Sequence, residues 1–261
     1  MCGSGVLAAQ VPPSSQIVVG LIGAGSRGMQ LLRLLLDSAD IRIGAVCETY
    51  EPRMFEAVAL ARFKGHRARY YRIYRDLLSD PSLDAVVIAT PDFWHCRMTL
   101  AAIEQHKDVY LEQPFCRTWQ EGTGLVHALR GTRQIVQVGS QHRSSPELAD
   151  LMHRGEIESV KQIEGHAASP YLRPGVLKRG PTKLPEPLNF EDWQAAAETH
   201  VAYSPDRFLN WRFYSAYGGG CVTDLGTGLF DCVHMIARLG SPVSVLARGT
   251  KSNQPGFDTA E

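Results

Sequence analysis

The chain has 261 residues, of which 44% are apolar and 21% are charged, a balance typical of a globular protein. Its 27 basic and 27 acidic residues give a formal net charge of zero, and no basic stripe with interleaved aromatic residues indicates a nucleic-acid partner. The apolar runs are all shorter than the ~18 residues that a membrane-spanning helix needs. The six cysteines lack the paired spacing of zinc sites or disulfide frameworks, so we expect neither a metal site nor a disulfide-stabilised fold.

Residues 1–16 precede the first pattern that predicts regular structure. They read MCGSGVLAAQVPPSSQ, a short apolar stretch followed by a segment that contains Pro and Ser. Two interpretations fit this segment: a disordered leader, or the remnant of a secretion signal whose charged start is missing. The first places the protein in the cytoplasm, and the second places it in the periplasm or outside the cell.

Short β-branched segments alternate with amphipathic segments from residue 17 to residue 141. The β-branched segments predict strands at residues 17–22, 41–47, 84–89, 108–111 and 134–138. The amphipathic segments predict helices at residues 29–36, 52–63, 96–105 and 118–130. Alternation of this kind is typical of an α/β fold with a doubly wound parallel sheet and right-handed crossovers.

Beyond residue 141 the pattern changes, and we predict a second, smaller α/β domain over residues 142–261. Helices are predicted at residues 148–154 and 225–239, and strands at residues 159–166 and 243–247. These two strands would form an open and incomplete sheet. Residues 170–217 are rich in proline and aromatic residues, which indicates an irregular segment that packs against another part of the protein.

A Gly-x-Gly-x-x-Gly sequence follows the first predicted strand and leads into the first predicted helix. Gly23 makes the tight turn, Gly25 lets the backbone approach a pyrophosphate, and Gly28 lets the helix pack on the strand. The free N–H groups at the helix start, where we also expect contacts from Ser26 and Arg27, favour negatively charged phosphates. We therefore predict that residues 17–141 form a Rossmann domain that binds a dinucleotide.

Glu48 ends the second predicted strand and indicates which dinucleotide binds. A carboxylate there accepts hydrogen bonds from the ribose hydroxyls. It repels a 2′-phosphate by about 4 kcal/mol for unit charges ~4 Å apart at an effective dielectric near ~20. The predicted cofactor is therefore NAD rather than NADP. Arg53 lies near enough in the sequence to weaken this preference, although it fits a solvated helix start better.

Three further motifs follow in chain order: TPDFWH at residues 90–95, YLEQP at residues 110–114 and GGCVTDLGTGLFD at residues 219–231. With these motifs, residues 17–249 resemble the Gfo/Idh/MocA family, named for glucose–fructose oxidoreductase and inositol dehydrogenase. The resemblance implies an N-terminal Rossmann domain, a C-terminal α/β domain with an open sheet, and oligomers that pack through that sheet. It also implies hydride transfer between a nicotinamide and a sugar, polyol or glycoside, and a second domain that is incomplete relative to the family.

The resemblance carries over to particular residues of this sequence. It implies cofactor contacts from Gly23, Gly25, Gly28, Glu48, Thr90, Pro91, His95, Glu112, Gln113 and Gln141. Substrate contacts are expected from Arg143, Trp211, Arg212 and Asp231. Asp224 matches the acid of the family's Asp-x-x-x-His motif. The aromatic segment around residue 211 offers a stacking platform for a sugar, although core packing explains that segment equally well.

At two positions the sequence departs from the family pattern. Gln113 replaces the lysine of the Glu-Lys-Pro motif, and Gly228 replaces the histidine of the Asp-x-x-x-His motif. In the family these two groups contact the substrate hydroxyl and move its proton. Neither replacement can act as a general acid or base, and losing such a group typically costs about 10²- to 10⁴-fold in rate.

The departures leave three functions open. The chain is a divergent NAD-dependent oxidoreductase, or a catalytically inactive NAD-binding protein with a regulatory or structural role. The third function keeps NAD tightly bound and uses transient oxidation to drive elimination or glycoside cleavage, which also needs a base. Replacement proton carriers are available at His142, His166, Tyr171 and Asp231, although a structural role suits each of them as well.

Overall fold

The computed structural model describes residues 16–153, 161–166, 183–249 and 257–259. Residues 1–15 of the predicted leader and Tyr171 lie outside the described residues. The central feature is a six-stranded, wholly parallel sheet with the strand order β3-β2-β1-β4-β5-β6. Its strands are β1 Ile17–Ile22, β2 Ile41–Cys47, β3 Arg69–Tyr71, β4 Ala85–Ile88, β5 Asp108–Leu111 and β6 Val136–Val138.

Helices connect these strands and cover both faces of the sheet. They are α1 Ser26–Leu36, α2 Glu51–Phe63, α3 Tyr74–Leu78, α4 His95–Glu104 and α5 Trp119–Arg130. The predicted Rossmann fold is confirmed, with predicted and observed elements differing by a few residues at their ends. Sequence patterning missed β3 and α3, because three and five residues are too few to show a period.

The strand order reverses between β1 and β4, the two strands at the centre of the sheet. In an open parallel sheet, ligands bind in the crevice beyond the carboxyl ends of the strands at such a switch point. The glycine loop follows β1, Glu48 follows β2, the TPDFWH motif follows β4, and Glu112 follows β5. The fold therefore brings four separate motifs to one edge of the sheet.

The described residues beyond position 141 are helical or irregular. Their helices are α6 Pro146–His153, α7 Phe190–Gln194, α8 Pro205–Leu209 and α9 Thr227–Ala237, and a π-helical turn, Val222–Gly226, leads into α9. The helices predicted at residues 148–154 and 225–239 correspond to α6 and α9. The segment predicted to be irregular contains the short helices α7 and α8.

The strands predicted at residues 159–166 and 243–247 are not formed in the part of the chain that the structure describes, and there the prediction was wrong. Residues 161–166 and 241–249 are irregular and exposed, and Val243, Val245 and Leu246 face solvent. A strand is stable only beside a neighbour that completes its hydrogen-bond ladder, and no described strand lies next to either segment. The predicted oligomer through a C-terminal sheet stays a prediction.

The larger core cluster extends from the Rossmann sheet into residues 188–217. Trp193 lies against Phe93, with ring centroids 5.4 Å apart, and against Tyr217 at 5.0 Å. The indole of Trp94 donates a hydrogen bond of 2.8 Å to the carbonyl of Trp193. The predicted packing of this aromatic segment is confirmed, and the segment covers the crevice at the sheet edge.

Candidate functional site

The glycine loop has the shape that a pyrophosphate needs. Gly23 has φ +91°, and a Cβ there would lie 2.7 Å from the carbonyl oxygen of Ala89. A Cβ at Gly28 would lie 1.9 Å from the carbonyl oxygen of Gly23, so α1 can approach the loop only without a side chain. A Cβ at Gly25 would meet no atom within 4 Å. The loop is thus tight against the protein at two glycines and open at the middle one.

The start of α1 fits an anionic ligand. Gly25 is its N-cap residue, and no side chain caps the helix. The first N–H groups of a helix have no partner within the helix, and the helix dipole adds positive potential there. An open cradle and uncapped N–H groups together fit the pyrophosphate of the predicted dinucleotide.

Glu48 is held beside the glycine loop by three hydrogen bonds. One carboxylate oxygen accepts the N–H of Ala24 at 2.9 Å. The other accepts the N–H of Tyr50 at 3.0 Å and the hydroxyl of Thr49 at 3.2 Å. These bonds fix the carboxylate at the mouth of the β1–α1 turn, and the remaining acceptor site on Oε2 suits a ribose hydroxyl.

Arg53 lines the same cavity as Glu48. Its guanidinium lies over the rings of Tyr50 and Phe208, 5.6 Å from each centroid. The arginine is therefore held against two aromatic side chains instead of standing free in solvent, and its positive charge lies on the cavity wall. Whether it changes the choice between NAD and NADP stays a prediction.

A single cavity of about 670 Å³ collects most of the predicted site residues. This volume falls within the range that small-molecule and cofactor sites occupy. The predicted residues in its lining are Gly23, Gly25, Ser26, Arg27, Glu48, Thr90, Pro91, Glu112, Gln113, Gln141, Trp211, Arg212 and Asp224. Gly28, His95, Arg143, Gly228 and Asp231 are not among its lining residues.

Arg27 joins three motifs at the cavity. Its Nε donates to Glu112 at 2.7 Å, and the Glu112 side chain is only 9% exposed. A second guanidinium nitrogen reaches Gln141 at 3.4 Å, and the third reaches Gln30 at 3.3 Å. Because a charged pair with low exposure keeps a fixed geometry, the glycine loop is held in register with the loops after β5 and β6.

His95 is fully buried and connects two loops at the sheet edge. Its Nδ1 lies 2.6 Å from the carbonyl oxygen of Pro114, and its Nε2 lies 2.9 Å from that of Thr90. Burial lowers the pKa of the imidazole, although both carbonyls and Glu112 favour the protonated form. His95 thus holds the loops that present Thr90 and Gln113, and its direct contact with a cofactor stays a prediction.

Gln113 and Gly228, the two positions at which the sequence departs from the family pattern, lie next to each other. A Cβ at Gly228 would lie 3.6 Å from Oε1 and 3.7 Å from Nε2 of Gln113. It would also lie 3.6 Å from Cδ2 of His142, which is exposed. These are ordinary van der Waals distances for a Cβ atom at this buried position.

Arg212 and Asp224 form an ion pair on the cavity wall. The Arg212 Nε donates to the Asp224 carboxylate at 2.7 Å, and Gln113 donates to the Asp224 carbonyl at 3.4 Å. Asp224 belongs to the π-helical turn, a local distortion that is common at functional sites. The guanidinium of Arg212 also lies 4.3 Å from the centroid of the Trp211 ring. Four predicted residues, Gln113, Trp211, Arg212 and Asp224, therefore form one group.

Asp92 is a cavity residue that the sequence analysis missed. It is 6% exposed and lines the cavity. Burial is the main cause that raises the pKa of its carboxyl to about 7. The negative charge of Asp224 acts in the same direction, whereas the positive charges of Arg212 and Arg117 lower this pKa. Its position directly after β4, at the edge where ligands bind, is the signal that would have identified it.

Arg143 and Asp231, both predicted to bind substrate, bind each other. The guanidinium donates to both carboxylate oxygens of Asp231, with distances of 2.6–2.9 Å. The pair joins the turn after β6 to helix α9. Substrate contact by either residue stays a prediction, and so does proton transfer by the exposed His166.

Neither a metal-binding cluster nor a membrane-spanning helix is present among the described residues. Within them, no group of three or more His, Cys, Asp or Glu side chains is arranged to hold a metal ion. None of the described helices combines the length and the apolar character that crossing a membrane requires.

Comparison with known proteins gives one family for the Rossmann half. Residues 17–140 match the family described as "Oxidoreductase family, NAD-binding Rossmann fold" (GFO_IDH_MocA). Over 246 residues the chain is 26% identical to "Uncharacterized oxidoreductase YrbE" of Bacillus subtilis (strain 168), covering 94% of this chain and 60% of the relative. It is 31% identical over 144 residues to "Inositol 2-dehydrogenase 1" of Saccharopolyspora erythraea, covering 54% of this chain and 42% of the relative.

Among solved structures, the chain is similar to GenD2 from gentamicin A biosynthesis in complex with NAD. The TM-score is 0.61 at 16% identity, and the match covers 89% of this chain and 56% of GenD2. At this identity the match supports the fold alone. The chain spans about half the length of the curated relatives that it matches.

Proposed function

We propose that this chain is a member of the oxidoreductase family whose NAD-binding Rossmann model matches residues 17–140, and that it transfers a hydride between NAD and a hydroxyl-bearing carbon of a sugar, polyol or glycoside. The observation that carries the proposal is the cavity of about 670 Å³ at the switch point of the sheet. The glycine loop and Glu48 line one part of it, and Gln113, Arg212 and Asp224 line another. A cofactor site and a polar substrate site are thus continuous.

Under this proposal some side chains of the cavity bind the cofactor and others bind the substrate. The uncapped start of α1 binds the pyrophosphate, and Glu48 accepts hydrogen bonds from the ribose. NAD held by these residues would supply the hydride acceptor. Arg212 and Gln113 supply N–H donors and Asp224 supplies acceptors, the combination that a ligand with several hydroxyl groups requires.

A polyol is the preferred substrate class. The sequence resemblance implies a sugar, polyol or glycoside, and a relative that is 31% identical is named an inositol dehydrogenase. Inositols have no charge, which agrees with the pairing of Arg212 by Asp224 on the cavity wall.

The test is a turnover assay with NAD and a panel that contains myo-inositol, other polyols, free sugars and glycosides. Nicotinamide absorbance reports reduction, and mass spectrometry identifies the oxidised product. The double variant Gln113→Lys with Gly228→His restores the family's proton carriers, and a Cβ at position 228 makes only ordinary van der Waals contacts. We expect turnover by the wild-type protein and an increase of about 10²-fold in the double variant.

The second candidate is an NAD-binding protein without catalytic activity. It is favoured by one observation, that neither Gln113 nor Gly228 carries a titratable group. Calorimetry would then detect NAD binding while no compound of the panel reduces it, and the double variant would also be inactive. That combination of results would replace the oxidoreductase proposal with the second one.

A further inference from the structure

The cavity contains a carboxyl group to which the sequence analysis assigned no role. Asp92 follows β4 and lines the cavity although the residue is only 6% exposed. A buried carboxyl group is costly unless it has a structural partner or a chemical role. Trp94 and Arg212 line the same cavity, so the carboxyl group of Asp92 belongs to a wall that a ligand can reach.

Charged groups near Asp92 come from three segments: Arg212 from the turn after α8, Asp224 from the π-helical turn, and Arg117 from the loop before α5. Arg212 and Asp224 line the part of the cavity assigned to the substrate, and Arg117 is not among the lining residues. Gln113 donates to the backbone carbonyl of Asp224, so the YLEQP motif at residues 110–114 lies beside these charged side chains.

This part of the cavity is built to keep its shape. A Cβ at Gly219 would lie 2.3 Å from Cγ2 of Thr223, so a side chain there would require Thr223 to shift. Arg117 donates to the carbonyls of Ser215 and Ala216 at 2.6 and 3.0 Å, which fixes the segment that leads to the turn at Gly219. This turn precedes Asp224, which is paired with Arg212 on the cavity wall.

We propose that Asp92 is the catalytic residue that accepts the proton of the substrate hydroxyl, in place of the groups missing at positions 113 and 228. The inference rests on the proposed oxidoreductase function. In the oxidation direction the C–H bond of the hydroxyl-bearing carbon breaks, and its electron pair leaves with the hydride to NAD. The O–H bond breaks at the same carbon, a C=O bond forms, and the proton passes to the Asp92 carboxylate and then to solvent.

The acidity of Asp92 suits this task. Burial raises the pKa of its carboxyl to about 7, and Asp224 contributes in the same direction. A general base works best when its pKa lies near the working pH. Because the base must be deprotonated, oxidation is expected to become faster as the pH rises through about 7, and reduction is expected to become slower.

His142 is the competing proton carrier. Its ring lies 3.6 Å from the Cβ position of Gly228, but it is exposed and is not among the residues that line the cavity. Asp92 is buried and lines the cavity, so the two candidates differ in their access to a bound substrate. Variants of both residues are therefore compared.

The experiment measures kcat/KM for NAD reduction with myo-inositol across pH in the wild type, Asp92→Asn and His142→Gln. We expect Asp92→Asn to lose about 10²- to 10⁴-fold and to lose the rise near pH 7, while its affinity for NAD changes by less than about twofold. His142→Gln is expected to keep the rise. Asp37→Asn is the matched control, because it removes the same charge from an exposed pair with Lys64 and should match the wild type.

A readout that does not depend on turnover is the carboxyl carbon signal of Asp92 in protein labelled with ¹³C-aspartate. Saturating myo-inositol in the presence of NAD is expected to shift the titration of this signal. Asp92→Glu assigns the signal and keeps a carboxyl group, so it should retain the pH-dependent rise at lower turnover. It also replaces Asp92→Asn if that variant does not fold.

The inference is overturned if Asp92→Asn keeps its activity and its pH-dependent rise, if the rise is lost in His142→Gln instead, or if myo-inositol leaves the Asp92 signal unchanged. Failure of the proposed function is a different result. In that case the wild-type protein reduces no NAD with any compound of the panel, and the carboxyl signal still decides whether Asp92 contacts the polyol.

Discussion

Two glycines of the cofactor loop, three residues apart, have opposite surroundings. A Cβ at Gly25 would meet no atom within 4 Å, whereas a Cβ at Gly28 would lie 1.9 Å from the carbonyl oxygen of Gly23. The first glycine keeps space free for a ligand, and the second permits the contact between α1 and the loop. Substitution should therefore separate binding from folding at this loop.

We expect Gly25→Ala to keep the Tm of the wild type and to weaken NAD binding by about tenfold or more, because the new methyl group enters the cavity. Gly28→Ala is the paired variant and should lower the Tm by several degrees, because the loop must move away from α1. Calorimetry measures the affinity and thermal unfolding measures the stability. Equal affinity of Gly25→Ala and the wild type for NAD would contradict this assignment of the loop.

Residue-scale features differ in how far the sequence predicted them. The glycine loop and Glu48 were found because turn geometry and the ribose-binding acid have a fixed spacing within a βαβ unit. Asp92 belongs to the TPDFWH motif, but the sequence analysis gave it no role, because neither its burial nor its charged neighbours can be read from the sequence. Two of those neighbours, Arg212 and Asp224, lie about 120 to 130 residues further along the chain.

At the scale of elements, a charged pair links α9 to the turn after β6. Arg143, in the turn after β6, makes three hydrogen bonds to Asp231 on α9. The arginine side chain is 53% exposed, so the pair is expected to contribute about 1 kcal/mol or less. A contribution of that size changes local opening of a helix more than global stability.

Arg143→Gln is expected to speed amide hydrogen exchange in α9 by several-fold and to leave exchange in β1 and β4 unchanged. Lys64→Gln is the control, because it breaks an exposed ion pair with Asp37 far from α9. Hydrogen-exchange mass spectrometry compares the three proteins. Unchanged exchange in α9 of Arg143→Gln would show that the pair does not hold the helix.

Elements with a clear period were predicted and short elements were not. The four long Rossmann helices followed from apolar periodicity, whereas β3 has only three residues and two of them are exposed. The strand predicted at residues 243–247 has β-branched residues but no neighbouring strand in the described part of the chain. Strand formation depends on a partner, and a partner is not a local property.

At the scale of the whole molecule, one apolar core joins the sheet to residues 188–217. Trp193 stacks on Phe190 at 5.2 Å and meets Phe93, Phe208 and Tyr217 at 5.0–5.4 Å. The sequence placed the division between two domains at residue 141, and that boundary stays a prediction. Shared burial on this scale predicts that the aromatic segment and the sheet unfold together.

We expect Trp193→Ala to lower the free energy of unfolding by about 3–5 kcal/mol in a single denaturant transition, because it removes a large buried ring from the shared core. Trp119→Ala is the control, since that side chain is 81% exposed and its loss should cost less than about 0.5 kcal/mol. Circular dichroism follows the unfolding. Two separate transitions, with the sheet unaffected by Trp193→Ala, would indicate an independent second domain.

The sequence by itself determined the parallel α/β fold, the cofactor loop, Glu48 and the two departures at Gln113 and Gly228. These follow from local spacing and from residue type, which are present in the chain before it folds. Only the tertiary structure decided that Gln113 and Gly228 are neighbours, that Asp92 is buried beside Arg212 and Asp224, and that the aromatic segment covers the crevice. These contacts join residues about 100 positions apart, and burial, which sets both packing energy and acidity, exists only after they form.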